Sequence, residues 1–111
     1  MKILILPGDG IGPEIMAATV TALGALNDRC GLKLDFEQRA VGLPALEAEG
    51  STLSDDLMGR IKAAEGVVLG PCDTYAYPLP DEGGVNPSAA TRKELDLFAN
   101  IRPSRARPGV P

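Results

Sequence analysis

Histidine is absent from these 111 residues, which removes the commonest metal ligand and the usual neutral-pH base. Tryptophan is absent as well, and aromatic residues make up only 4% of the chain, so Ile, Leu, Val and Ala must build the core. The only cysteines, Cys30 and Cys72, stand in no metal-binding or disulfide pattern and read as free structural thiols. The apolar run Ile3-Leu4-Ile5-Leu6 stops at Pro7-Gly8, too short for a secretory core or a membrane span. Basic residues cluster only at Arg102, Arg105 and Arg107, and the net charge is −4. Such a chain offers no electrostatic footprint for nucleic acid or an anionic membrane. A cytoplasmic chain with neither partner is expected.

What is present is ordinary globular composition, 44% hydrophobic and 23% charged, in a length that allows at most one domain. Lys2 to Leu6 reads as a strand, continuous rather than alternating, as suits burial on both faces of a parallel sheet. Pro7 to Gly12 is a tight turn. Pro13 then fits a first helical position and Glu14 the acid-favouring first turn, so a helix runs from about 13 to 28 with Gly31 as its cap. Lys33 to Val41 alternates like a half-buried strand. Ser54 starts a second helix that Gly66 ends, and Val67-Val68-Leu69 is a short buried strand. Residues 70–86 form a long loop, and Asn86-Pro87 opens a third helix to about Asp96. Phe98 to Arg102 is expected to return to an extended strand before Pro103. The alternation of strands and helices predicts an α/β, doubly wound sheet.

Gly8-Asp9-Gly10-Ile11-Gly12 lies between a strand and a helix, where backbone amides can meet an anion. It is not a dinucleotide fingerprint, because the third glycine of G-x-G-x-x-G falls on Pro13 and no acid ends the next strand as expected. Taken alone, the turn is equally compatible with a structural role.

The longer strings KILILPGDGIGPEI, at the N-terminus, and RKELDLFANIRP, at 92–103, resemble the isopropylmalate and isocitrate dehydrogenases. The resemblance spans essentially the whole chain. It implies an enzyme that oxidises a malate-type 2-hydroxyacid with NAD or NADP and Mg or Mn, then releases CO2. The substrate would be 3-isopropylmalate-like first, isocitrate- or tartrate-like next. It also implies a homodimeric two-domain fold with a nucleotide site unlike the usual one. Residues 1–103 would be the N-terminal part of the first domain and 104–111 a segment crossing to the next, so the chain looks cut. The family's acid–base Tyr and Lys, its metal-binding Asp residues and its adenine loop are expected beyond these residues, and no catalytic or metal residue is assigned here.

Carried over by motif, Arg92 and Arg102 match arginines that hold the malate carboxylates, for which a planar guanidinium is suited. Ser88 and Asn86 fall where the family contacts the variable group of the substrate, although Ser88 also suits a plain helix start. Ile11, Gly70, Asp73 and Thr74 are the implied cofactor positions, with Cys72 and Asp73 departing from the isocitrate-branch loop. Features of both branches are mixed, which leaves the substrate open. Tyr75 and Tyr77 could cover the cofactor or pack the loop. Asp9 and Glu14 read as turn and helix-dipole residues, and Arg105 and Arg107 as solvated. The competing reading is a non-catalytic module that binds an anion or a partner.

Overall fold

The computed structural model describes residues 1–106 and 108–109. The expectation for Arg107 therefore lies outside the described residues. The elements are β1 (Lys2–Leu6), α1 (Gly12–Cys30), β2 (Asp35–Gln38), α2 (Leu43–Glu49), α3 (Asp55–Ala63), β3 (Gly66–Leu69) and α4 (Pro87–Glu94), with a short 3-10 turn at Pro80–Glu82.

The central strand explains the unbroken apolar run at the N-terminus. β1 pairs in parallel with β2 on one side and β3 on the other, giving the order β2-β1-β3. Successive side chains point to opposite faces. Ile3 and Ile5 pack with Met16 and Val20 of α1, while Leu4 and Leu6 pack with Leu57 and Ile61 of α3. Leu4, Ile5 and Leu6 are each 1% exposed. Burial of that kind contributes about 1.5–3 kcal/mol per side chain. The chain steps from β1 to β2 in one direction, then returns past β1 to β3. Right-handed crossovers in opposite directions put their helices on opposite faces, which is the doubly wound arrangement. The direction reverses beside β1 and β3, so the ligand end of such a sheet lies at the turn 7–12 and the loop after Leu69.

Local chemistry sets the helix ends. The Ser54 side chain accepts from Leu57 N, the Asn86 side chain accepts from Ala89 N, and Gly31 closes α1 in the left-handed region at φ 61°. The expected helix end at Gly66 is not where the chain turns. α3 stops at Ala63, and Gly66 is the first residue of β3.

Three further differences stand out. α2 was not expected, since seven residues opening Leu43-Pro44 show too little periodicity; Gly42 before it and Gly50 after it define it instead. β2 is confined to Asp35–Gln38, shorter than the alternating stretch, because its register against β1 runs only from Lys2 to Ile5. No strand forms over 98–102. Phe98 is 102% and Ile101 85% exposed, and the segment pairs with no strand among the described residues. An extended sequence becomes a strand only where a neighbour supplies its hydrogen bonds.

Thr52 fixes the approach to α4 and escaped sequence reasoning. It is fully buried, its Oγ1 donates to Val85 O at 2.6 Å and accepts from Val85 N at 2.7 Å, and its own N donates to Gly83 O at 3.0 Å. Thr52→Val keeps the shape and removes both side-chain bonds to Val85. A loss of about 2 kcal/mol is expected in urea unfolding of the protein, because each polar group left unpaired costs about 1–3 kcal/mol. A variant as stable as the parent would show that the hydroxyl is dispensable.

Candidate functional site

The turn after β1 and the loop after β3 touch through bare backbone. Gly8 sits at φ +80°, and a Cβ there would collide with the Pro71 carbonyl; one on Gly70 would collide with the Pro7 carbonyl. Asp9 N donates to Pro71 O at 2.8 Å, and Gly70 N donates to Leu6 O at 2.8 Å. Glycine is needed at both places so that the two chain segments can approach this closely.

Asp9 sits at the centre of this junction and is only 5% exposed. Its Oδ1 accepts from Leu43 N at 2.7 Å, at the start of α2. Its Oδ2 accepts from Asp73 N at 2.8 Å and from the Tyr77 hydroxyl at 2.6 Å. Burying a carboxylate is costly unless donors replace its water, and here three do. Asp9 is therefore much more than a turn residue: it joins the 7–12 turn, α2 and the 70–77 loop. Burial, and then the bond to Asp9, push the Tyr77 hydroxyl far above the ordinary tyrosine range. Burial also raises the Cys72 thiol, partly offset by its hydrogen bond with Tyr77. Neither group ionises near neutral pH, so neither serves as a base there. Both cysteines are free, as expected.

The four implied cofactor positions gather around this junction. Ile11, 66% exposed, stands at the start of α1; Gly70 is occupied with backbone packing; Asp73 donates its amide to Asp9 and keeps its side chain exposed; Thr74 is half-buried. Tyr77 packs the loop, whereas Tyr75 is wholly exposed. A cleft of about 320 Å³ opens beside the turn, lined by Pro7, Gly8, Pro13, Arg39, Val41 and Pro44 among others.

The implied substrate positions separate into two groups. Ser88 and Arg92 lie one helical turn apart on α4, with Arg92 Nε donating to Ser88 O at 3.2 Å. Both line a cleft of about 330 Å³ whose wall includes Leu6 and Leu69, the last residues of β1 and β3. Asn86 is spent as the helix cap, its Oδ1 accepting from Ala89 N at 3.0 Å. Arg102 is exposed in irregular chain, does not line that cleft, and does not end a strand as its sequence context suggested. Arg105 is exposed, in keeping with a solvated role.

Among the described residues no three His, Cys, Asp or Glu side chains are placed to hold a metal ion, and no helix is long and apolar enough to cross a membrane. Glu37 is tied to cations. Glu37 accepts from Arg39 and from Arg60, the latter at 3.0 Å and linking α3 to β2. The Arg39 hydrogen bond, and then the charges of Arg60 and the other nearby cations, hold Glu37 below the usual carboxylate range.

Comparison with known proteins shows the family of the chain. The model of the isocitrate/isopropylmalate dehydrogenase family matches residues 2–110. A 3-isopropylmalate dehydrogenase from Ruegeria pomeroyi is 38% identical over 94% of this chain and 29% of its own length. Among solved structures, a β-decarboxylating dehydrogenase from Thermococcus kodakarensis superposes with a TM-score of 0.71 at 29% identity, covering 87% of this chain and 27% of its own. An isocitrate dehydrogenase from Methylococcus capsulatus gives a TM-score of 0.68 at 31% identity, covering 87% of this chain and 26% of its own. The chain thus spans less than a third of the length of these relatives.

Proposed function

The chain belongs to the isocitrate/isopropylmalate dehydrogenase family, and from that premise we propose that its complete protein oxidises a malate-type 2-hydroxyacid with NAD or NADP. Loss of the β-carboxylate as CO2 follows the oxidation. A 3-isopropylmalate-like substrate is put first, isocitrate- or tartrate-like ones next. In this reading residues 1–103 belong to the first domain, 104–111 cross to the next, and the enzyme works as a cytoplasmic homodimer.

The observation that carries the reading is the pair Ser88 and Arg92, one turn apart on α4 and lining one cleft that runs along β3 from Gly66 to Leu69. A guanidinium there holds a carboxylate through two parallel hydrogen bonds and fixes its orientation. Ser88 meets the variable group of the substrate. Arg102, from the segment after α4, supplies a second carboxylate contact, and Asn86 shapes the pocket by starting the helix.

The residues around Asp9 suit the nicotinamide end of a nucleotide better than its phosphates. Gly8 and Gly12 of the turn are closed off by the chain's own backbone, and a buried carboxylate lies beneath, unfavourable to a second anion and favourable to a cationic ring. Ile11, Gly70, Asp73 and Thr74 frame that surface. The nucleotide, when bound, supplies the hydride acceptor. The donor set of these residues does not fit a Mg or Mn ion, so in this reading its ligands come from elsewhere in the enzyme. Purified 1–111 alone is accordingly expected to reduce no NAD or NADP with isopropylmalate, isocitrate, malate or tartrate; metal-dependent turnover by the contaminant-free chain would contradict this.

Specificity should respond to Ser88. In the complete enzyme Ser88→Leu is expected to shift kcat/KM by about 10-fold or more towards substrates with a bulky apolar group and away from those with a carboxylate or hydroxyl there. An unchanged ranking of substrates would leave Ser88 only the role of a helix-start residue.

A further inference from the structure

Asp9 is a buried carboxylate to which no direct contact with substrate or nucleotide has been assigned. Its position is nonetheless unusual. The three donors that reach it come from two separate stretches of chain, the start of α2 and the 70–77 loop, and the two from the loop, Asp73 N and the Tyr77 hydroxyl, share a single oxygen, Oδ2. Gly42 is kept free of a side chain against the same carboxylate: at φ +78° a Cβ would strike Asp9 Oδ1. The backbone of the turn makes one direct bond to the loop, Asp9 N to Pro71 O, and that bond ends before the residues that follow Pro71. The placement of 73–77 relative to the turn is set by Asp9 Oδ2.

We infer that Asp9 is the positioning residue of the nucleotide site, clamping the 70–77 loop to the 8–12 turn so that Thr74 and Ile11 present one continuous surface. This rests on the dehydrogenase reading for its ligand, but its geometric half stands without it. Asp9 does not touch the nucleotide; it acts through Asp73 and Tyr77. Cys72 reports the clamp, because it lies within the clamped loop, is half-buried, and has its Sγ 3.7 Å from Gly70 O. Loosening the loop exposes the thiol and relieves the burial that holds it in the protonated, unreactive form.

Asp9→Asn separates the clamp from the fold. The amide oxygen can still accept from Leu43 N, keeping α2 in place, while an NH2 group replaces Oδ2 and confronts the Asp73 N–H with a second donor. Tyr77→Phe removes one bond of the pair without a buried charge change and serves should Asp9→Asn not fold. In the complete enzyme, the KM for NAD or NADP is expected to rise about 10-fold in Asp9→Asn and about 3-fold in Tyr77→Phe, with the KM for the hydroxyacid changed less than about 2-fold. Alkylation of Cys72 by iodoacetamide, followed on its peptide by mass spectrometry, is expected to accelerate about 10-fold in Asp9→Asn. Equal rises in both KM values, or an unmoved nucleotide KM in folded variants, would overturn the inference, as would an unchanged Cys72 rate. If the unaltered enzyme reduces no nucleotide, the dehydrogenase reading falls by itself, and the Cys72 rates then decide the clamp alone.

Discussion

Lysine in place of Arg92 is expected to lower kcat/KM for the hydroxyacid at least ~10²-fold, with nucleotide affinity nearly intact. Lysine keeps the charge and loses the planar fork, so the loss measures two-point recognition of a carboxylate rather than general attraction. A charged hydrogen bond lost once bound substrate has displaced the water around it costs roughly 2–4 kcal/mol, which corresponds to that factor. Arg92 is exposed, so this loss is what distinguishes carboxylate recognition from a plain surface role. Its Nε donates to Ser88 O, and it lines the cleft that runs along β3 between α3 and α4. Arg102→Lys is expected to cost a similar factor in the complete enzyme, although Arg102 stands away from that cleft in the described chain. Its contribution therefore depends on the segment after α4 settling against the rest of the protein. Steady-state kinetics at sub-saturating hydroxyacid check both variants. Parental efficiency in both would mean that these are solvated arginines.

The largest structural effect is expected at Gly8. Alanine there must adopt φ +80° and push its methyl into the Pro71 carbonyl, which the Asp9 amide already holds. Strain in the left-handed region costs about 1–2 kcal/mol, and forcing packed backbone apart about 1–3 kcal/mol more. A total of roughly 3 kcal/mol is a large share of a domain's stability of about 5–15 kcal/mol. Gly10 supplies the control. It has φ +56° with open space where a Cβ would go, so Gly10→Ala pays the backbone strain alone, about 1 kcal/mol. Urea unfolding of the two variants in the complete protein distinguishes them. A Gly8→Ala cost no larger than that of Gly10→Ala would show that the turn and the loop are not locked backbone to backbone.

The features that sequence reasoning reached are those that depend on neighbours in the chain. The caps at Ser54 and Asn86 bond to amides three residues on, and the unbroken run Ile3 to Leu6 is apolar because helices cover both faces. The two family strings were legible for the same reason, as continuous stretches. Asp9 looked like a turn residue because its partners Asp73 and Tyr77 lie 64 and 68 positions away, a distance over which no local pattern runs. Thr52 escaped for the same reason, with Val85 33 positions away. The expected strand at 98–102 failed differently. Its residues suit an extended chain, but pairing is supplied by a neighbour, and among the described residues β3 does not provide it. Gly70, implied as a cofactor position, carries a packing duty that only the folded turn reveals.

The central claim is that this chain forms part of an enzyme whose nucleotide reduction is coupled to decarboxylation. The most direct measurement follows NADH or NADPH and released CO2 together, with the complete enzyme, Mg or Mn, and 3-isopropylmalate, isocitrate or tartrate in turn. The account predicts metal-dependent reduction with at least one of these acids, and one CO2 released for each nucleotide reduced. Nucleotide reduction without CO2, or no reduction with any malate-type acid, would contradict it.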